Sequence, residues 1–224
     1  MKKIIFIILL LGINAFAQQK FEIRNASKNF NVRIEVEKCA GGFCEGAATF
    51  RLLKKGEKKP FQVFKFADTS LWLDKNGKAQ ANTTLLYDEQ SAVNFGDFNF
   101  DGAEDLALCD GTSGGYGAPS YQVYLFSPQS KKFVRSAPLT NLARGEYLGM
   151  FLVDRKRKVL RTLSKSGCCW HQTREFMVVA NRPEKVLEIT EDAMIPDETK
   201  IEVTTKKLVG GKWRTSVKKV KREQ

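Results

Sequence analysis

Period-two alternation between apolar and polar residues, cut at short intervals by Gly, Pro, Asn and Lys clusters, is the feature that most narrows what this chain can fold into. Residues 32–37 read Val-Arg-Ile-Glu-Val-Glu and residues 61–66 read Phe-Gln-Val-Phe-Lys-Phe. That is the period of a strand with one face buried and one face wet. Later segments pair naturally across turns. Residues 121–126 and 132–134 flank Ser-Pro-Gln-Ser, residues 151–153 and 159–163 flank a basic turn, and residues 175–180 and 186–190 flank Asn-Arg-Pro-Glu. Residues 201–209 and 213–220 flank Gly210-Gly211, and Asn76-Gly77 marks a turn between residues 71–73 and 83–87. Only residues 141–144 could form a helical turn. The expectation is an all-β chain: one antiparallel β-sandwich, barrel or β-propeller-like domain, without a repeat long enough to make a multi-bladed array.

The first residues set the compartment. Met1-Lys2-Lys3 is a short basic start, residues 4–12 are apolar, and Ala15-Phe16-Ala17 has the small-x-small pattern that a signal peptidase cuts after. Residues 1–17 are expected to be a secretory signal peptide, with residues 18–224 as the mature single domain. The apolar run is too short to span about 30 Å of hydrocarbon, and no later stretch is apolar enough. The protein is expected in the periplasm or outside the cell, with no transmembrane segment after cleavage.

Export makes disulfides chemically sensible, and there are five Cys, an odd number. Cys39 and Cys44 flank Ala-Gly-Gly-Phe, whose glycines let the chain turn tightly enough to join them. Cys109 could pair with Cys168 or Cys169, or those two neighbours could bond to each other, leaving one thiol over.

Loss of Lys2 and Lys3 takes the formal charge from +12 to +10. That balance draws a protein toward anionic partners. The cations sit mostly in turns and at strand ends, where Lys guards edges against pairing with other chains. Nucleic acid is therefore not expected as a partner, and a homodimer stays open.

One segment carries explicit chemistry. Asp97, Asn99 and Asp101 occupy positions one, three and five of an acidic loop, with Gly102 at six, Ala103 at seven and Asp105 at nine. A hard cation such as Ca²⁺ takes several oxygen ligands at about 2.3–2.6 Å. Side chains at odd positions converge as the backbone curls. Gly102 supplies the positive φ of the sharp turn, Ala103 would give its carbonyl, and Asp105 would close the ring directly or through water. Position twelve is Leu108, not Glu, so the ligand that closes a helix–loop–helix hand is missing. The expected setting is a structural calcium site in a β context, with Glu104 turned away to solvent.

Beyond a short strand comes a second loop, residues 111–119, with four glycines and a proline. If the flanking strands pair, this loop projects from the end opposite the acidic loop. Tyr116 then either stands out as a contact residue, with Ser113, Gly114 and Gly115 beside it, or folds back on the sheet. The loop lacks the Lys-Ser/Thr ending of a phosphate cradle.

Taken together, Asp97-x-Asn99-x-Asp101-Gly102-x-x-Asp105-Leu106, then Ser113-Gly114-Gly115-Tyr116, then Tyr121-Gln122-Val123-Tyr124-Leu125-Phe126-Ser127-Pro128 resemble a family of periplasmic bacterial proteins. That family is similar to the periplasmic inhibitors of invertebrate-type lysozyme. It includes immunity proteins against peptidoglycan-hydrolase effectors delivered by type IV secretion, and its acidic loop is like those of FG-GAP repeats. The resemblance covers about forty residues well. It implies a β-sandwich-like domain with β-propeller likeness and a lysozyme-like peptidoglycan hydrolase as partner. Ser113 and Tyr116 would plug the hydrolase cleft, and Gly114 would permit close approach. Many lysozymes are basic and would be repelled by a cationic inhibitor, yet residues 111–119 contain no Lys or Arg.

A calcium-dependent adhesion or glycan-binding module is the competing expectation, with Trp72, Trp170 and Trp213 as stacking surfaces. An enzyme is not expected. The lone His171 follows Cys168-Cys169-Trp170, which reads as a disulfide beside a packed ring rather than as a thiol nucleophile or a zinc site.

Overall fold

Each of the three sheets in the computed structural model, which describes residues 18–85 and 89–222, is antiparallel, and strands neighbour one another in chain order except that the fifth strand of the first sheet pairs with the third. Residues 1–17, expected to be a signal peptide, and residues 86–87 of the anticipated strand after Asn76-Gly77 lie outside the described residues. The first sheet holds β1 (Gln19–Ile23), β2 (Phe30–Ala40), β3 (Phe43–Lys54), β4 (Gln62–Phe66) and β5 (Ser70–Trp72). The second runs β6 (Val93–Gly96), β7 (Asp105–Gly111), β8 (Ser120–Ser127) and β9 (Lys132–Arg135). A one-turn helix, α1 (Ala137–Thr140), then leads to the third. That sheet contains β10 (Leu152–Asp154), β11 (Val159–Ser166), β12 (Trp170–Val179), β13 (Arg182–Asp192), β14 (Lys200–Val209) and β15 (Lys212–Lys221). The result is an all-β, sandwich-like fold without a closed barrel.

Alternation does what it should in β2. Phe30, Val32, Ile34 and Val36 are buried while Arg33 and Lys38 are exposed. Glu35, on the wet face, accepts an ion pair from Arg51 at 2.6 Å, and that guanidinium holds its carboxyl below the usual carboxylate range. β7 behaves differently. Asp105 through Cys109 are all buried, so this central strand is covered on both faces and reads as a continuous run rather than an alternation.

Aromatic contacts join the first two sheets. Phe30 packs on Phe95 and Phe133, Phe64 on Tyr124, and Gln62 hydrogen-bonds both to the Phe133 carbonyl and from its N–H. Met150, Phe151, Leu160 and Phe176 carry the same apolar cluster to the third sheet. Ser136 caps α1 by accepting from the Leu139 N–H, and Pro138 fits the first turn.

Several anticipated details change. Asn76-Gly77 does lie in a turn, closed by the Gly77 N–H to the Asp74 carbonyl, but residue 73 meets residue 79 across it. Asp74 draws the turn tight, since its carboxylate accepts the N–H groups of Asn76 and Lys78. Cys39 and Cys44 are bonded across the β2–β3 hairpin, as the glycine pair suggested. Cys168 bonds to its neighbour Cys169, and Cys109 remains a free thiol buried in β7, where desolvation pushes it up to about 11. A thiol in the middle of a two-sided core strand cannot meet a cysteine placed in a surface turn.

Candidate functional site

The two candidate loops sit at opposite ends of β7. A seven-residue strand puts them about 20 Å apart.

The acidic loop is wound around its own carboxylates. Asp97 accepts from the N–H groups of Asp101 (3.0 Å) and Gly102 (2.9 Å), and Asp101 accepts from Ala103 N–H at 2.7 Å. Gly102 takes the positive φ its position demands, 89°, and Phe100 is also left-handed at 62°. Asn99 donates to Asp101 and to Asn181, which ties the loop to the β12–β13 turn, both at 2.8 Å. Asp105 is fully buried. One of its oxygens accepts the Phe98 N–H (2.8 Å) and the other the Phe126 N–H (3.0 Å), stapling the loop to β8. Burial pushes this carboxyl up to about 7, and the charges of Asp101 and Asp97 add to the rise. Glu104, anticipated in solvent, instead accepts from the Ser27 hydroxyl at 2.8 Å and so links the loop to the turn before β2.

The donor set is of the right kind for Ca²⁺: three carboxylates, an amide oxygen and a backbone carbonyl, all hard. As the side chains stand, no three acidic, His or Cys groups among the described residues are gathered to hold an ion. Burial is the main cause of the raised Asp105 value, and repulsion from the Asp101 and Asp97 charges adds to it. A divalent cation would relieve that repulsion. Asp97, Asn99, Asp101 and Asp105, with the Ala103 carbonyl, are the residues that would hold one.

At the other end, residues 113–118 form a compact tip. Gly114 N–H bonds the Ala118 carbonyl, Gly115 N–H the Tyr147 carbonyl and Gly145 N–H the Ser113 carbonyl. A Cβ on Gly114 would lie 2.7 Å from the Ala118 oxygen, and one on Gly115 would lie 2.7 Å from the Glu146 oxygen. Both glycines are thus needed for packing within the chain itself, a use distinct from the close approach to a partner that the motif implies. Tyr116 sits in a short 3-10 turn at φ 56°, and 67% of its surface is exposed. Ser113 is exposed beside it. The ring is neither free-standing nor folded into the core. Its hydroxyl accepts the Gly167 N–H at 2.6 Å, next to the Cys168–Cys169 disulfide, and the Lys165 ammonium lies 5.0 Å from the ring centre.

Sequence reasoning missed the group that anchors the base of this tip. Asp110 accepts from Ser120 (2.7 Å) and Arg144 (2.8 Å), and also from Gln122. The Ser120 hydroxyl then accepts the Ser113 N–H at 3.2 Å. The signal was present in Asp110-Gly111, an acid closing a buried strand, but its partners come from β8 and from beyond α1. Behind the tip, Arg174 pairs with Glu146 at 2.7 Å and donates to the Tyr147 hydroxyl, fixing residues 146–147 against β12.

The three tryptophans do not form one surface: Trp72 stacks near Phe43 in the first sheet, while Trp170 and Trp213 lie on separate strands of the third.

No protein-family profile matches the sequence, and no curated protein matches it. A solved structure, described as that of a Xanthomonas type IV secretion system related protein, has the same fold. Its TM-score is 0.66 at 22% identity, over 91% of this chain and 95% of that one.

Proposed function

We propose that this chain is an exported immunity-type protein that inhibits a lysozyme-like peptidoglycan hydrolase by inserting residues 111–119 into its active-site cleft. The observation that carries the reading is the state of Tyr116: a large, mostly exposed aromatic held at a left-handed φ on a tip braced from both sides. A side chain already fixed in place loses little conformational freedom on binding, so more of its contact energy appears as affinity. The fold shared with a type IV secretion system related protein supports the same direction. So does the absence of Lys and Arg from residues 111–119 themselves, with Lys165 a cation beside the Tyr116 ring.

In this reading Tyr116 enters the cleft and Ser113 supplies a hydroxyl at its rim. Gly167 and the adjoining disulfide turn steady the phenol. The acidic loop binds Ca²⁺ and braces the far end of β7. No step of bond making or breaking is assigned to the protein. The adhesion alternative needs clustered aromatics, which this arrangement of tryptophans does not provide.

The test is turbidimetric. Mature protein is mixed with a panel of peptidoglycan hydrolases, and lysis of cell-wall suspensions is followed. Inhibition of at least one lysozyme-like enzyme, lost in Tyr116→Ala, is the expected result. Inhibition indifferent to Tyr116→Ala and Ser113→Ala would reject the loop as the plug. Retention on insoluble peptidoglycan without inhibition would favour the adhesion reading.

A further inference from the structure

Two thirds of the net charge lies in a tenth of the chain. Residues 200–222, which make up β14, β15 and their flanks, carry nine Lys or Arg against one Glu, a net of +8 out of +12. Every residue of β15 is exposed, on both faces of the strand. The outer strand therefore adds little apolar burial to the fold, and the hairpin is held to the sheet through the pairing of β14 with β13.

The hairpin's own cross-strand pairs weaken it. Lys207 lies directly opposite Arg214, and Lys200 opposite Lys221. Like charges at opposed positions destabilise an antiparallel pair. Within the described residues the hairpin's ion pairs are Lys200 with Asp197 and Lys206 with Glu188, which leaves Lys207, Lys212, Arg214 and Lys218 outside any. These four share one face by register. Guarding of the outer edge accounts for lysines on β15. It does not account for like charges set face to face, nor for the lysines of the inner strand.

The apolar residues sit where they are least sheltered. Trp213 is 46% exposed and pairs with Leu208 beside the Gly210-Gly211 tip, with Val217 (55% exposed) on the same face. An exposed Trp paired with a half-buried Leu at the end of the hairpin, with cations on flexible stems nearby, matches the boundary between phosphate headgroups and hydrocarbon. There an indole settles at headgroup level and Lys stems reach the phosphates. A cleft on an acidic protein would have to enclose a ribbon that is basic on both faces. A membrane surface entered tip first meets both faces at once, Leu208 and Trp213 on one and Lys207, Lys212, Arg214 and Lys218 on the other.

We propose that the β14–β15 hairpin is a docking element for anionic phospholipid surfaces, entering tip first through Leu208 and Trp213 while Lys207, Lys212, Arg214 and Lys218 contact the phosphates. It is independent of the inhibitory tip at residues 113–118.

Flotation of the mature chain with lipid vesicles tests this. Vesicles of phosphatidylcholine and phosphatidylglycerol in equal parts should carry the protein upward at low salt and release it at high salt. Vesicles of phosphatidylcholine alone should not. Substituting Lys212→Gln, Arg214→Gln and Lys218→Gln together should weaken binding roughly 100-fold, with the melting temperature and circular dichroism of the wild type retained. Trp213→Ala should abolish the blue shift of tryptophan fluorescence on binding. No flotation with phosphatidylglycerol, equal flotation with phosphatidylcholine, or undiminished binding by the triple variant overturns the proposal. Displacement from vesicles by duplex DNA at stoichiometric amounts would overturn it in favour of a nucleic acid.

Discussion

The two ends of β7 are held by opposite means. At the acidic end, side chains do the holding: Asp97, Asp101 and Asp105 accept backbone N–H groups and draw the chain into a coil. At the tip itself close backbone packing does most of it, because Gly114 and Gly115 let backbone approach backbone where a Cβ would collide, and the Asp110 carboxylate anchors only the base. A carboxylate brace is sensitive to protonation and to cations, whereas a steric brace responds only to volume. The two ends should therefore break under different conditions.

The largest expected effect is at Asp105. Asp105→Ala leaves the Phe98 and Phe126 N–H groups without their acceptor in a buried site, which should cost about 2–4 kcal/mol in urea unfolding. Gly115→Ala comes next. The Glu146 carbonyl is backbone and cannot swing away, so about 1–3 kcal/mol should be lost in the same assay, together with inhibition. If Gly115→Ala instead unfolds with wild-type stability, the tip is looser than its hydrogen bonds imply.

Acidity separates the ends further. The folded-state value for Asp105, about 7, lies above that of an unfolded Asp. The folded protein then binds a proton that the unfolded chain has released, so stability falls as pH rises from about 4 to 7. Carboxylates that Arg and Lys hold low, such as Glu35, Glu175 and Glu188, act in the opposite sense. They lose their contribution only as pH falls through the acid range below, so the window above about 5 isolates Asp105. In chelator, thermal melting should show that decline, and added Ca²⁺ should flatten it by favouring the ionised form. A decline that is unchanged by calcium would argue that the loop holds no ion.

Tyr116→Ala should be the mildest for stability, within about 0.5 kcal/mol by urea unfolding, because the ring is exposed and its hydroxyl bond is peripheral. Inhibition should nonetheless vanish. A large stability loss would make Tyr116 a structural residue and weaken its role as plug.

How much of this could be read in advance follows from range. The coil of the acidic loop was legible because the bonds to Asp97 and Asp101 lie within nine residues, and so was the Cys39–Cys44 turn; the loop's ties to Ser27, Phe126 and Asn181 were not. Alternation revealed β2 and the later hairpins. It did not reveal β6, only four residues long, or β3, whose Gly46-Ala47-Ala48 stretch blurs the period. The surroundings of Tyr116 were illegible for a different reason. Gly167 is fifty-one residues away, and the Asp110 hub gathers Ser120, Gln122 and Arg144 from separate elements. The concentration of charge in residues 200–222 was legible too; the fold adds that β15 is exposed on both faces and that like charges lie opposite each other.

Hydrogen exchange on the mature protein, alone and saturated with a hydrolase that it inhibits, tests the central claim most directly. Slow exchange across residues 113–118 in the free protein, deepening on binding together with residues 167–169 and nowhere else, is the predicted pattern. Rapid exchange throughout the tip before binding, or protection arising on another face of the molecule, would contradict a pre-set plug.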